Sequence, residues 1–264
     1  MKKTIILFLI AIIFLLMSAC ANDIALNSNE QKNQTQQIEP ETMPASTAPV
    51  LANGSGWVLY EDGLLCISSS GSMGYISNSD KVKWHEYRSV IKEVYIEDGI
   101  TSVCQFAFQD CINLHTVRLP STLKKVQLDA FCGCVNLKEI ALPDGLETIE
   151  FWAFALCDSL QTLEIPGTIK HLDNYAFQEC KGLQEITILP GVETIGFDVF
   201  DGCVELQSIT IPNTVKSIDV CTFRYCTKLE NVFYGGTEEE WNTIEIKTDG
   251  NEPLFAAKIH YNTK

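Results

Sequence analysis

The chain has 264 residues, among them eleven cysteines and four histidines, the side chains most often committed to metals and nucleophilic chemistry. Cys132 and Cys134 form a C-x-C pair, which a tetrahedral zinc site would have to complete with a second pair at ligand spacing. No such pair follows. His85, His115, His171 and His260 are scattered without metal spacing, and neither a His-Glu-x-x-His motif nor a phosphate-cradling glycine loop occurs. Serines and carboxylates are plentiful but do not converge on one position. These residues assign no catalytic or metal site, and the expectation is a protein without a cofactor that is not an enzyme.

The cysteines instead report architecture. Cys111, Cys134, Cys157, Cys180, Cys203 and Cys226 are spaced by 23 residues without an insertion. Phe108, Phe131, Phe154, Phe177, Phe200 and Phe223 repeat with the same period, as do Leu114, Leu137, Leu160, Leu183, Leu206 and Leu229. A fixed period in the twenties means a stacked solenoid, in which no repeat can bury its apolar face alone. Equivalent cysteines in neighbouring coils then lie about 5 Å apart with parallel Cβ vectors, a geometry that resists bridging. The column is expected to be buried thiols acting as small hydrophobes. Cys66, Cys104, Cys132 and Cys221 fall outside it, and whether they pair stays open.

Each repeat divides into elements. Ala107, Cys111 and Leu114 stand at i, i+4 and i+7, which predicts a short helical turn with Phe108 beside it. Val117 and Leu119 alternate with Thr116 and Arg118, which predicts a strand of about four residues ended by Pro120. Leu123 and Val126 begin the return path, and Val94 with Ile96 supplies an opening strand in phase with the others. The fourth repeat reads "ILPGV" where the third reads "IPGTI", yet Val192 stays in phase.

The phrase L-x-x-I-x-(I/L)-P followed by A-F-x-x-C resembles the BspA-type leucine-rich repeat, most completely in "LEIPGTIKHLDNYAFQECKGL" from Leu163 to Leu183. The resemblance covers about Ile91 to Val232 and both flanks. It implies an α/β leucine-rich repeat solenoid, with a parallel sheet on one face, short helical turns on the other and capping segments at both ends. The segments are a cap over residues 54–93, six 23-residue repeats over 94–232, and a closing cap over 233–264. The glycine common before the Ala-Phe pair survives only at Gly196, which questions a left-handed backbone at that point. The implied role is surface display and binding, often called adhesion, without a particular ligand.

The flanks read as lids. "WVLY-EDG-LLCI" predicts a hairpin with Asp62-Gly63 in the turn, and Trp57 and Trp84 are large enough to cover the first coil. "TEEEW" predicts a helical turn capped by Thr237, and Trp241 with "AAKIHY" would close the far end. Residues 1–19 have the layout of a signal peptide: Lys2 and Lys3, an apolar run from Ile5 to Met17, then small residues. Their end, "LMSAC", resembles a bacterial lipobox and makes Cys20 the lipidation site and membrane anchor. Residues 20–53, rich in Asn, Gln, Thr, Ser, Pro and Glu, read as a flexible tether. The expected location is outside the cell, lipid-anchored to the envelope and surface-exposed. A formal net charge of −15 argues against nucleic acid as a partner.

Two function classes remain. One is a surface module that binds a protein or glycan on another cell or in the matrix; the other is a structural envelope protein that self-associates or scaffolds a neighbour. Two faces could serve. In "EFWAFAL", Phe151, Trp152, Ala155 and Leu156 stand where other repeats put residues such as Gln105, Asn174, Asp198 and Gly202, and Tyr175 shares Trp152's column. That predicts an outward apolar patch, with packing between turns as the alternative. The outward strand columns, including Arg118, Glu139, Glu164, Glu185 and Thr187, form the other candidate surface.

Overall fold

The computed structural model describes residue 44 and residues 46–263; the signal peptide, Cys20 and most of the tether lie outside them. The described chain is a parallel β-solenoid. Its first strands, β1 (Val50–Gly54), β2 (Trp57–Tyr60) and β3 (Leu64–Ile67), form an antiparallel meander. Strand β1 therefore takes in Val50 to Asn53, which the sequence reading gave to the tether. From β3 onward all pairing is parallel, each coil laying one long and one short strand against those of the coil before.

The long strands are β5 (Glu93–Ile96), β7 (Thr116–Arg118), β9 (Glu139–Ile140), β11 (Thr162–Ile165), β13 (Glu185–Ile188), β15 (Ser208–Ile211), β17 (Asn231–Tyr234) and β19 (Lys258–His260). Their registers fall 23 residues apart through the repeats: Glu93 on Thr116, Thr116 on Glu139, and Glu185 on Ser208. Alternation buries Leu163 and Ile165 and exposes Thr162 and Glu164. Where both inward positions are Ile, as in β13 and β15, or Leu then Ile, as in β11, the strand has four residues. Where the second is Leu119 or Leu142, the strand shrinks to three or two residues and that leucine is only half-buried. A β-branched side chain is already restricted to the strand rotamers, and leucine is not.

A second ladder was not foreseen. The return path holds β4 (Gly71–Ser72), β6 (Ile100–Val103), β8 (Lys125–Val126), β10 (Thr148–Ile149), β12 (His171–Leu172), β14 (Thr194–Ile195), β16 (Ser217–Ile218) and β18 (Glu245–Ile246), paired in parallel. Both ladders lapse at one junction. No pairing joins β9 to β11 or β10 to β12, so each ladder splits into two sheets there.

The third side corrects the expectation of helical turns. Along Phe106–Cys111 the amides alternate in use. Those of Phe106, Phe108 and Asp110 donate to the Leu128, Ala130 and Cys132 carbonyls of the next coil at 3.0, 2.7 and 2.9 Å. Those of Ala107, Gln109 and Cys111 donate three residues back, at 3.3, 3.1 and 3.0 Å. An α-helix needs every amide to bond four residues back, so half the donors are already spent between coils. Left-handed residues also break each coil twice. Phe106, Asp129, Trp152, Tyr175, Asp198 and Cys221 have φ of 53° to 63°, and Asp110, Leu156, Glu179 and Tyr225 repeat this four positions on. The side is a run of linked turns. Gly196 is not among the left-handed residues; that conformation falls two positions later, at Asp198.

One core fills the solenoid. The six phenylalanines stack at 5.0 to 6.0 Å, and Trp84 continues the pile at 5.7 Å from Phe108. Trp84 donates its indole N–H to the Ala107 carbonyl at 2.7 Å, and Trp57 meets it edge-on, so both tryptophans close the first coil. At the other end α1 (Glu238–Trp241) begins in a capping box between Thr237 and Glu240 and buries Trp241 against Tyr234. Helix α2 (Glu252–Ala256) follows, and Asn251 before it accepts from the Phe223 amide at 3.0 Å.

Candidate functional site

The six column cysteines are buried and unbridged, and they do more than fill space. Cys134, Cys157, Cys180, Cys203 and Cys226 each donate S–H to the carbonyl of the phenylalanine 26 residues earlier, at 3.1 to 3.5 Å. Burial pushes the Cys111 and Cys226 thiols up to about 12. Its side-chain interaction with Cys180, then burial, raises Cys157 well above the ordinary thiol range. Thiols so placed cannot act as nucleophiles. Among the described residues no three His, Cys, Asp or Glu side chains gather as a metal site. Cys132 is half-buried, pushed to about 12 by burial and by Asp129, and its C-x-C partner Cys134 is committed to the core.

The aromatic residues of the third and fourth repeats do come together. Phe151, Trp152 and Leu156 are 39%, 37% and 41% exposed on the turn side, while Ala155 is buried, which corrects its assignment to the patch. Trp152 and Tyr175 stack with centroids 4.7 Å apart and planes 18° from parallel. Phe151 leans on Trp152 at 6.3 Å and 58°. Phe197, which the sequence reading missed, meets Tyr175 edge-on at 5.2 Å. Its signal was available: Phe197 occupies Phe151's column two coils later. Trp152 and Tyr175 hold the left-handed position of their coils, so their side chains leave the turn side by side.

Asp129 stands one coil earlier in Trp152's column, and its amide bonds the Phe151 carbonyl at 3.1 Å. Asp173 lies two residues before Tyr175. Both carboxyls are half-buried and raised mainly by burial; a hydrogen bond with Cys132 opposes this at Asp129, and at Asp173 Glu150 adds to it while His171 and Lys125 oppose it. Lys181 is shared between Glu179 and Asp158 at 3.3 and 3.6 Å.

The strand face is more dispersed. Arg118, Glu139, Glu164 and Glu185 are exposed and Thr187 is half-buried. Arg118 sits over the Tyr95 ring at 5.4 Å, which occupies that cation with its own sheet. Glu164 and Thr187 are neighbours in register, but Glu139 lies across the lapsed junction from both.

A family model described as the BspA type leucine rich repeat region matches in six copies, over residues 85–203 and 153–245. No curated protein matches. Solved structures agree on the fold. The Treponema pallidum leucine rich repeat protein is 19% identical, with a TM-score of 0.53 over 85% of this chain and 100% of its own. A leucine-rich repeat protein from Bacteroides ovatus is 20% identical, with a TM-score of 0.52 over 84% of this chain and 72% of its own. The pneumococcal vaccine antigen PcpA is 19% identical, with a TM-score of 0.55 over 81% of this chain and 48% of its own.

Proposed function

The chain belongs to the BspA-type leucine-rich repeat family, and from that premise we propose that it is a binding module of the cell surface, exported and held to the envelope by lipid on Cys20. It takes a protein or glycan partner through a repeat surface and performs no catalysis. The observation that carries this is the cluster of Phe151, Trp152, Leu156 and Tyr175. Apolar residues elsewhere in the repeats point mainly into the core, whereas three of these four are more than a third exposed, and Phe151, Trp152 and Tyr175 are in ring contact. A contiguous apolar patch on an otherwise polar surface is the usual mark of an interaction site. Arg118, Glu139, Glu164, Glu185 and Thr187 form the second choice of surface.

The test replaces Trp152 and Tyr175 together by asparagine, because Asp129 and Asp198 occupy the same left-handed position and asparagine tolerates it. Full-length and variant protein are applied to immobilised matrix proteins and glycans, with melting recorded in parallel. A binding surface predicts lost binding and a nearly unchanged melting temperature. Unchanged binding with a large drop in melting temperature would make the aromatic pair a packing clamp between coils, and the chain a structural element of the envelope.

A further inference from the structure

We infer that the N-terminal lid of the solenoid holds a binding site for a small monocarboxylate with a short apolar tail. The proposal is independent of the aromatic patch and of whatever partner is taken there. The site is a partly enclosed cavity of about 210 Å³ between the lid and the first coil. Trp57, Ile67, Val82 and Trp84 give it an apolar wall, all four buried. On the outer side stand Met73 and Ile76, half-buried and packed against the core. These two belong to a flap after β4 that few hydrogen bonds hold. The Met73 amide donates to the Ser102 carbonyl at 3.3 Å, but those of Tyr75, Ile76 and Ser77 donate to no group among the described residues. The entrance can therefore widen without breaking a strand. An apolar cavity of about 150 Å³ takes benzene, with its six heavy atoms, so this one suits a ligand of about eight to ten.

Lys83 decides the head group. Among the described residues it is the one charged side chain lining the cavity. Its ammonium donates to the Ser55 carbonyl at 3.2 Å, and no carboxylate lies within ion-pair range of it among the described residues. An ammonium carries three N–H donors, so two remain for arriving oxygens. Lys83 also acts on the interior of the site. Cys104, which lines the cavity and is 3% exposed, has its thiol pushed up to about 11 by burial, and Lys83 is close enough to oppose this. A carboxylate bonded to Lys83 would make a charge-assisted hydrogen bond while its tail lay between the tryptophans and the flap. Other ligands fit worse. A cation would meet Lys83 and find no carboxylate in the lining. A sugar would press its hydroxyls against the apolar wall, where they would lose water without gaining partners.

Full-length protein is titrated calorimetrically with hexanoate, hexan-1-ol and hexylammonium, which share a tail and differ in head group. Hexanoate should bind saturably with a Kd of about 1 mM or below, in keeping with so small a ligand. Hexanol should bind about tenfold more weakly, for want of the charged contact, and hexylammonium not at all. Lys83→Gln should weaken hexanoate about tenfold and leave hexanol unchanged. Met73→Trp and Ile76→Trp, which each fill the cavity from the flap, should abolish binding of both, with circular dichroism confirming which of the two is folded. Hexanol or hexylammonium binding as tightly as hexanoate, or hexanoate binding equally well to Lys83→Gln, would overturn the carboxylate. No saturable binding of hexanoate, or undiminished binding to a folded flap variant, would overturn the cavity as a ligand site.

Discussion

Trp152 and Tyr175 stack across the one coil junction of the repeats at which neither ladder is paired. At that junction the phenylalanine pile continues, with Phe154 and Phe177 5.4 Å apart and 2° from parallel, and the Phe154 amide still donates to Ala176 at 2.9 Å. Where the strands are unpaired, the core and the turn side hold the two halves together, helped by the Gln161 amide on the Lys138 carbonyl at 3.4 Å and the Thr168 hydroxyl on the Leu146 carbonyl at 2.6 Å. At the following junction the Glu193 and Gly196 amides donate to Lys170 and Leu172 at 2.9 and 3.1 Å; the corresponding amides of Lys170 and Asp173 have no such partner. Hydrogen exchange should therefore be faster at Lys170 and Asp173 than at Glu193 and Gly196. Equal protection at the four sites would contradict the lapse.

Phe154 lies between Phe131 and Phe177 at 5.1 and 5.4 Å, fully buried in mid-solenoid. Replacing it with alanine removes a whole ring from a packed column and should cost about 3–5 kcal/mol. Denaturant unfolding measures this. A loss under about 1 kcal/mol would mean that neighbouring coils can close over the gap, against the close packing expected of such a core.

The thiols should divide by position. Cys132 and Cys221, which are half-buried, should react first with a bulky thiol reagent in native protein; Cys157 and Cys180 should react only on unfolding. Cys157→Asp places a carboxylate where the wild type has a fully buried S–H bonded to the Phe131 carbonyl, and the domain should fail to fold. Mass spectrometry of labelled peptides decides the first part, and circular dichroism the second. Rapid native labelling of Cys157 would disprove its inward position.

Asp198 is buried, its Oδ1 lacks a hydrogen-bond partner, and its carboxyl is raised to about 6. Burial is the main cause; Arg224, 3.3 Å away, pulls it down and Asp201 pushes it up. Because the folded value lies above the ordinary 3.8, the folded chain holds this proton more tightly than the unfolded chain. The resulting stabilisation is complete below about pH 4 and is lost as pH rises through 6. Asp198→Asn should thus raise stability at pH 7, by at most about 3 kcal/mol, and flatten its dependence between pH 4 and 7. A less stable variant at pH 7 would show that the pairing with Arg224 outweighs burial.

Cys20 should be the lipidated first residue of the mature protein. Radiolabelled palmitate should enter the wild type, and Cys20→Ala should lose both the label and the membrane fraction. A mature terminus mapped elsewhere, or a Cys20→Ala protein still on the membrane, refutes the anchor.

Much of the scaffold was legible because its signals are local and repeated. A 23-residue period preserved in three columns leaves the chain only a stacked parallel coil, and the alternation at Leu163–Ile165 states which side chains face inward. The helical expectation failed for a physical reason. Ala107, Cys111 and Leu114 are buried as a helical spacing requires, yet that spacing is equally satisfied by linked turns. The choice between them is made by amides such as those of Phe106 and Phe108, which bond to another coil.

The aromatic patch divides in the same way. The residue types in "EFWAFAL" and the shared column of Trp152 and Tyr175 were determined by the sequence, because columns follow from the period. The contact that turns them into one stack, the burial of Ala155 beneath it and the arrival of Phe197 were decided by the tertiary structure. The left-handed backbone at Trp152 and Tyr175 aims both rings, and at Tyr175 that conformation is held by a hydrogen bond between coils, from its amide to the Phe197 carbonyl at 3.0 Å. The lapse of both ladders is likewise a property of stacked coils, since pairing depends on how two strands 23 residues apart meet.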